Sequence, residues 1–245
     1  MQFFYHKDAK NPHITLSSEE THYLFRVRRF QKGAILSVRN LEDNVLYIYQ
    51  HVPSHTRSKQ ECFQLIEARS SDWQDSSKGL SLILAIIDTK DIYDVVPMLN
   101  GLNVASLILF YADFSQKNRI VNKQKISKIL QYSCMQCGRT NLMNVDVCQD
   151  LQSVLMKYQN ACFIDFIPID GVPDISSIES LPNVELAKQA QQGIIIGPEG
   201  GFTQRERQIL QTRVQYCLQT PHVLTAHLAG VYIASLCCSP CVSLV

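Results

Sequence analysis

The stretch GIIIGPEGGFTQRE, residues 193–206, runs from apolar residues into a proline and closely spaced glycines, and then into a polar segment. A continuous apolar run of this kind is typical of a strand buried on both faces of a parallel sheet. Thr203 with Glu206 forms a capping-box pattern, which predicts that a helix begins there. Since parallel sheets bind ligands at the carboxyl ends of their strands, the glycine-rich loop is a candidate binding site. A tight turn without a ligand is the alternative.

Residues 78–245 contain further apolar runs of strand length, and these alternate with helical stretches. The predicted strands are LSLILAII (80–87), SLILFYA (106–112), ACFIDFI (161–167) and GIIIG (193–197), and the predicted helices include DIYDVVPMLNGLN (91–103) and NKQKISKILQYSCMQC (122–137). Strands interleaved with helices predict an α/β domain whose parallel sheet is covered on both faces.

Residues 1–70 have a different pattern, with short apolar or alternating runs separated by charged and turn-forming residues. The runs are AILSVRN (34–40), VLYIYQHV (45–52) and CFQLIEA (62–68). They predict a small all-β module. The Ser- and Asp-rich segment RSSDWQDSSKG, residues 69–79, is predicted to be a linker, so that residues 1–70 and 78–245 form separate domains.

The composition of the chain bears on its localisation and on the state of its cysteines. The chain has 245 residues, 46% of them hydrophobic, and a net charge of +1. It has neither a signal-peptide pattern nor an apolar run of about 18 residues, so we expect a cytoplasmic protein without a membrane span. The cysteines are expected to be reduced and buried. Cys134/Cys137 and Cys238/Cys241 form two CxxC pairs that offer a zinc site as the alternative, but they lack a knuckle context, and no metal is predicted.

Basic residues are unevenly distributed. One cluster lies in RVRRFQK, residues 26–32, and a second run, residues 114–145, carries Lys117, Arg119, Lys123, Lys125, Lys128 and Arg139 with no acid at all. Either could be a solvated face. Two such segments in a nearly neutral chain favour a localised anionic partner, and RNA phosphate is our prediction. The candidate RNA-binding residues are Arg26, Arg28, Arg29 and Lys123.

These segments also resemble a known family. IGPEGGFTQRE, residues 196–206, is similar to the signature loop of the ribosomal RNA small subunit methyltransferase E family, SPOUT-superfamily enzymes that methylate the N3 imide of a uridine. THYLFRVRRFQKG (21–33) and CMQCGR (134–139) resemble two further segments of the family, in the same order. The resemblance therefore covers essentially the whole chain.

The resemblance implies a PUA-like β-barrel for RNA docking, followed by a parallel-sheet methyltransferase domain with a C-terminal trefoil knot. It also implies a homodimer, S-adenosyl-L-methionine as cofactor and small-subunit (16S) ribosomal RNA as substrate. The residues that it places at the cofactor are Ile196, Gly197, Pro198, Gly200, Gly201, Val223, Leu224 and Thr225.

The chain departs from the family pattern in the segment QTPHVLTAHLAG, residues 219–230. His222 and Thr225 stand where the family has Arg, and His227 stands where it has Glu. The helix segment MLNGLNV, residues 98–104, likewise lacks the Lys and Glu of the family. A catalytically weakened or inactive RNA-binding protein that acts in ribosome assembly is therefore kept as the alternative function. A small-molecule enzyme that binds another nucleotide is a further alternative, disfavoured because neither a Lys-Ser/Thr pair nor a GxGxxG pattern is present.

The reaction itself suggests roles for two side chains. A methyl sulfonium is already activated, so the protein must mainly align the reactants and exclude water. A uridine imide must lose its proton, which calls for a base or for a cation that stabilises the anion. Arg139 is the candidate for that cation, with a plain surface arginine as the alternative. Glu199 is a candidate base or an acceptor of loop N–H groups, and His222 and His227 are further titratable groups near the knot segment.

Overall fold

The computed structural model describes residues 1–52, 60–70, 79–116, 119–167 and 175–238. The chain divides into two compact units. The first comprises Met1–Asp75 and Gln131–Leu142, and the second comprises Ser76–Leu130 and Met143–Val245. Within the described part, no helix is both long and apolar enough to cross a membrane.

The first unit contains a five-stranded mixed sheet with the strand order β1-β3-β4-β5-β2. Its strands are β1 (Phe4–Tyr5), β2 (His13–Thr15), β3 (Ile35–Arg39), β4 (Val45–Val52) and β5 (Cys62–Ser70). The three predicted strands are thereby confirmed. A short helix α1 (Ser18–Thr21) continues as a π-helical turn, His22–Val27. β5 runs through Arg69 and Ser70, which were predicted as linker, because both residues pair with β4. Residues 71–78 of the predicted linker lie outside the described part.

The core of the first unit is built largely from aromatic side chains. Tyr49 and Phe63 are fully buried at its centre, and the Tyr49 hydroxyl donates a hydrogen bond of 2.7 Å to the Asn11 carbonyl. The C-terminal turns of helix α3 (Lys123–Cys137) belong to this unit and contribute Cys134 and Met135 to the same core. Helix α3 therefore begins in one unit and ends in the other.

The second unit contains a seven-stranded sheet with the order β10-β12-β9-β11-β6-β7-β8, in which every neighbouring pair is parallel. The strands are β6 (Ser81–Ala85), β7 (Ser106–Phe110), β8 (Asn144–Cys148), β9 (Cys162–Ile164), β10 (Ser176–Ser177), β11 (Ile194–Ile196) and β12 (Gln215–Cys217). The helices are α2 (Thr89–Gly101), α4 (Leu151–Lys157), α5 (Asn183–Gln192), α6 (Gln204–Leu210) and α7 (Ala226–Cys237), with a 3-10 turn at Ile178–Ser180. The predicted α/β fold with a parallel sheet is confirmed.

Strand β11 occupies the position that matters most for a ligand. It lies between β9 and β6, so both of its neighbours precede it in the chain. From β6 the chain continues to β7 and β8 on one side, whereas from β11 it continues to β12 beyond β9 on the other side. Adjacent strands whose connections diverge leave a crevice at their carboxyl ends, and ligands of open α/β sheets bind there.

Helix α7 covers this central region. It packs against α2 and lies over β6 and β11. The approach to β6 is close at Gly230, where a Cβ atom would stand 3.2 Å from Leu82 Cδ2. The absence of a side chain at Gly230 lets the helix pack closely on the sheet.

Candidate functional site

The glycine-rich loop forms a tight turn at the carboxyl end of β11. The Gly201 N–H donates a hydrogen bond of 2.8 Å to the Pro198 carbonyl, which leaves Glu199 and Gly200 exposed at the corner. Gly201 has φ of 70°, in the left-handed region that side chains disfavour. The turn therefore presents a carboxylate and bare backbone at the crevice beside β6.

A second set of contacts fixes the chain after the turn. Thr203 and Glu206 form the predicted capping box at the start of α6, which confirms that prediction. The Glu206 side chain is buried, and its carboxylate also accepts the Asp113 N–H at 2.9 Å. Asp113 in turn accepts a hydrogen bond of 2.6 Å from the Thr203 hydroxyl and pairs with Arg205. The loop after β7 is thereby joined to the first turn of α6.

Three titratable side chains gather at the carboxyl edge of the sheet. Asp91 lies in the first turn of α2, Glu199 at the corner of the glycine turn and His227 in the first turn of α7. One ligating atom from each lies within 4.8 Å of those of the other two. His227 Nδ1 is buried and has no hydrogen-bond partner in the described part of the chain, and its Nε2 lies 3.4 Å from the Thr225 hydroxyl. The group can share a proton, hold a positively charged ligand group or bind a divalent cation.

The remaining predicted cofactor residues lie at the same edge. Ile196, Gly197 and Pro198 are buried, whereas Val223 is 77% exposed in the segment that leads into α7. Thr225 is the N-cap of α7 but makes no side-chain capping bond, so the first N–H groups of that helix lack a side-chain acceptor there. Because His227 meets Glu199, the start of α7 and the glycine turn form one site.

The predicted RNA-binding arginines lie in the first unit, in and just after the π-helical turn. All three are exposed. Arg28 donates a 2.8 Å hydrogen bond to the Tyr23 hydroxyl and lies over the Tyr23 ring. Arg29 adopts φ of 55°, which turns the chain sharply after the helix. The side chains of Arg26 and Arg29 make no ion pair or hydrogen bond among the described residues.

A buried histidine holds the loop that follows these arginines. The Gly33 N–H donates to His51 Nδ1 at 2.9 Å, so Nδ1 carries no proton and Nε2 does. His51 Nε2 then donates to the Glu61 carboxylate at 2.8 Å, and Glu61 pairs with Lys32 at 2.9 Å. This chain of hydrogen bonds and the ion pair therefore fix Lys32 and Gly33, at the end of the basic segment.

The fourth predicted RNA-binding residue, Lys123, lies in the second unit. It pairs loosely with Asp146 at 3.7 Å, whereas Lys157 pairs with the same carboxylate at 2.9 Å. The hydrogen bond from Lys157 is the main cause that lowers the pKa of Asp146 below its usual value. Exposed ion pairs contribute little to stability, so Lys123 can exchange this partner for a phosphate.

Arg139 is not a surface arginine. It is only 8% exposed, and its Nε donates to the Asn141 side chain at 3.0 Å. It belongs to the first unit, whereas Glu199 and the glycine turn belong to the second. The alternative of a plain surface arginine is therefore wrong, and the role of Arg139 as a cation for the uracil anion or a phosphate stays a prediction.

The cysteines follow the interpretation as small buried residues only in part. Cys134 is buried in the first unit's core, but Cys137 is exposed. In the second unit, burial raises the pKa of Cys162 to about 12. Such a thiol stays protonated and unreactive at neutral pH. Of the second CxxC pair, Cys238 is described, and Cys241 lies outside the described residues.

Sequence reasoning missed Asp91 and Asp113 as parts of the site. Both follow shortly after buried apolar strands, β6 and β7, at the edge where ligands bind. An acidic residue after each apolar run was the available signal. Their meeting with Glu199 and Glu206 depends on strand order, which the sequence alone does not reveal.

Comparison with known proteins adds to this geometry. Residues 74–237 match the family model described as RNA methyltransferase domain. Over 239 residues the chain is 37% identical to ribosomal RNA small subunit methyltransferase E of Helicobacter pylori strain 26695, covering 96% of this chain and 99% of that protein. The protein of the same name from H. pylori strain J99 is 36% identical over the same lengths. The chain belongs to the ribosomal RNA small subunit methyltransferase E family.

Solved structures agree with this family membership at the level of the fold. A putative methyltransferase from Legionella pneumophila, in complex with S-adenosylmethionine, matches with a TM-score of 0.74 at 19% identity, covering 96% of each chain. Ribosomal RNA small subunit methyltransferase E from Neisseria gonorrhoeae, bound to S-adenosyl methionine, matches with a TM-score of 0.72 at 14% identity and the same coverage. The methyltransferase E fold thus extends over nearly the whole chain.

Proposed function

We propose that this protein transfers the methyl group of S-adenosyl-L-methionine to the N3 imide of a uridine in small-subunit ribosomal RNA. The observation that carries the proposal is the glycine turn at the divergence of β6 and β11, in a chain that is 37% identical over 96% of its length to a ribosomal RNA small subunit methyltransferase E. The alternative of an inactive assembly protein is not favoured, because the match to the RNA methyltransferase domain, residues 74–237, includes the glycine turn and the start of α7.

The residues at the crevice fit the proposed cofactor. S-adenosylmethionine carries a positively charged sulfonium and a positively charged ammonium group. Asp91 and Glu199 supply two negatively charged carboxylates that can pair with them. We assign the cofactor to the residues from Ile196 to Gly201 and to Val223, Leu224 and Thr225. When bound, it supplies an activated methyl group that needs no metal or covalent enzyme intermediate.

The protein's own side chains then act on the proton and the charge of the uracil. The imide proton needs an acceptor, and we propose Glu199 for this role because it is exposed beside two other titratable groups. His227 and Asp91 lie in the same cluster, and we propose that His227 takes the proton onward. We propose that Arg139 supplies the cation for the anionic base or for an adjacent phosphate.

The organisation of the chain supports further parts of the proposal. We propose that residues 1–70 form a PUA-like barrel that docks RNA through Arg26, Arg28 and Arg29, and that residues 78–245 form the catalytic domain with Lys123 as an additional phosphate contact. The insertion of β11 between earlier strands and the covering of β6 by α7 are compatible with a C-terminal trefoil knot. We further propose a cytoplasmic homodimer.

The test is methyl transfer by the full-length chain. Small-subunit ribosomal RNA, free and as assembled subunits, is prepared from cells that lack the gene and is incubated with labelled S-adenosylmethionine. We expect one uridine to gain an N3-methyl group, detected by mass spectrometry of nuclease fragments. A modification pattern identical in cells with and without the gene, together with no transfer in vitro, contradicts the proposal.

A further inference from the structure

An exposed phenylalanine lies against the glycine turn. Phe114 follows β7 and is 58% exposed, although Phe110 in that strand and Phe202 after the glycine turn are buried. A Cβ atom on Gly200 would stand 3.2 Å from Phe114 Cδ2 and 3.4 Å from its Cγ. The ring therefore packs on the bare backbone of the turn while much of its surface remains in water.

The chain on both sides of Phe114 is held in place. The Ala112 N–H donates to the Ser115 hydroxyl oxygen at 3.0 Å, and that hydroxyl donates to the Ile86 carbonyl at 2.6 Å. Asp113 is joined to the start of α6 through Glu206. Neither neighbour can move without breaking these bonds, so the phenyl ring is presented to solvent by a rigid turn. A ligand that contacts it meets little cost of ordering.

The chemistry of the proposed substrate matches this ring. N3 lies on the pairing edge of uracil, so a uridine can be methylated there only when it is unpaired. Enzymes that modify bases take them out of the stack, and proteins hold unpaired RNA bases on aromatic rings. The ring stands on the loop of β7, separated from β11 by β6 alone, and reaches the turn that carries Glu199.

We propose that Phe114 is the stacking platform for the unpaired uracil that is to be methylated. The inference rests on the proposed function and names the group that holds the base. Stacking on the exposed part of this ring places the flat base beside the glycine turn that carries Glu199.

The test compares Phe114→Ala with Phe114→Tyr in the full-length protein. Loss of one base stack predicts that Phe114→Ala lowers kcat/KM for small-subunit ribosomal RNA by roughly 5- to 150-fold. Phe114→Tyr keeps an aromatic face and is expected to stay within about threefold of the wild type. The affinity for S-adenosylmethionine, measured by calorimetry, is expected to be unchanged in both variants.

The matched control is Phe166→Ala. Phe166 is also exposed, at 42%, but it follows β9 on the opposite side of β11. It is expected to leave kcat/KM unchanged. An equal loss in both alanine variants, or a kcat/KM within twofold of wild type in Phe114→Ala, overturns the proposal. So does weaker cofactor binding or a changed molecular mass in solution, since the ring would then contact the cofactor or a second copy of the chain.

A second measurement separates this inference from the proposed function. RNA affinity is measured by filter binding in the presence of S-adenosylhomocysteine, with no reaction required. If the wild type transfers no methyl group but Phe114→Ala still weakens RNA binding, the proposed function fails and the stacking platform stands. If the RNA affinity of Phe114→Ala equals that of the wild type, the stacking platform is refuted.

Discussion

Removal of the Glu206 carboxylate is the sharpest test of how the site is held together. In Glu206→Ala, the N–H groups of Asp113 and Thr203 lose an acceptor that each contacts at 2.9 Å. A buried donor left without an acceptor costs about 1–3 kcal/mol, and these two lie in half-buried residues. The Thr203 side-chain cap is kept, because it accepts the backbone N–H of residue 206. Since burial of the carboxylate is itself unfavourable, we expect a net loss of about 2–3 kcal/mol.

Two assays read out this loss. A domain of this size loses about 2–4 °C in Tm for each kcal/mol, so thermal unfolding should shift by roughly 5–10 °C. Hydrogen exchange should accelerate at the amides of Asp113 and Thr203 before it changes in β6 or β11, because the bonds that are lost are local. The affinity for S-adenosylmethionine should fall as the glycine turn loses its anchored C-terminal end.

Glu185→Ala is the matched control. Glu185 also lies in the first turn of a helix, α5, but it accepts no backbone N–H bond there: its partners are the Gln189 side chain and the exposed Lys188. Loss of one side-chain hydrogen bond and one exposed ion pair should cost about 1 kcal/mol. If Glu206→Ala is no more destabilising than Glu185→Ala, or if the two amides keep their protection, the assignment of Glu206 as the anchor of this loop is refuted.

Two further predictions concern other parts of the second unit. Gly193→Ala should destabilise the protein by more than about 2 kcal/mol, because φ is 110° and a Cβ would stand 2.9 Å from Ile83 Cδ1. The control Gly101→Ala lies in open space at the end of α2 and should be neutral or stabilise by up to about 1 kcal/mol. Urea unfolding measures both variants, and equal effects would contradict this reasoning. The pKa of Asp146 is lowered mainly by Lys157, so its contribution to stability is present above pH 3.8, the unfolded value, and is lost as the pH falls through the lower folded value. Lys157→Met should return the carboxyl pKa towards its usual value in an NMR titration, and an unmoved titration curve would rule out this cause.

Much of the second unit could be predicted from its apolar runs. The runs at residues 80–87 and 106–112 contain β6 and β7, and the capping box at Thr203 gave the start of α6 correctly. Strands buried on both faces have a strong sequence signal because every residue is apolar. Short polar strands do not. The stretch TQRERQILQTRVQYC (203–217) was predicted to be helical throughout, which was wrong at its end: α6 stops at Leu210, and residues 215–217 form β12. Its three residues carry too little pattern to be told from a helix.

The site was predictable in part for the same physical reason. The glycine turn is formed by consecutive residues, so it can be recognised directly in the sequence. The Asp113–Glu206 bond joins residues 93 positions apart, and it exists only because β7 and β11 are near neighbours in the sheet. Residues 131–142 pack in the first unit although they follow it by many positions in the chain. The sequence pattern of a helix does not reveal which part of the protein its last turns will contact.

The late position of β11 in the chain has a consequence for biosynthesis. Its neighbours β9 and β6 are both made before it, yet they cannot pair with each other because β11 lies between them. While the ribosome is still making residues up to 193, these two strands expose unpaired edges, which are prone to misassembly. The glycine turn follows the closing strand directly, so the binding site is completed only as the last part of the sheet forms. A nascent chain therefore lacks the proposed cofactor site until β11, the glycine turn and the start of α7 have all been made.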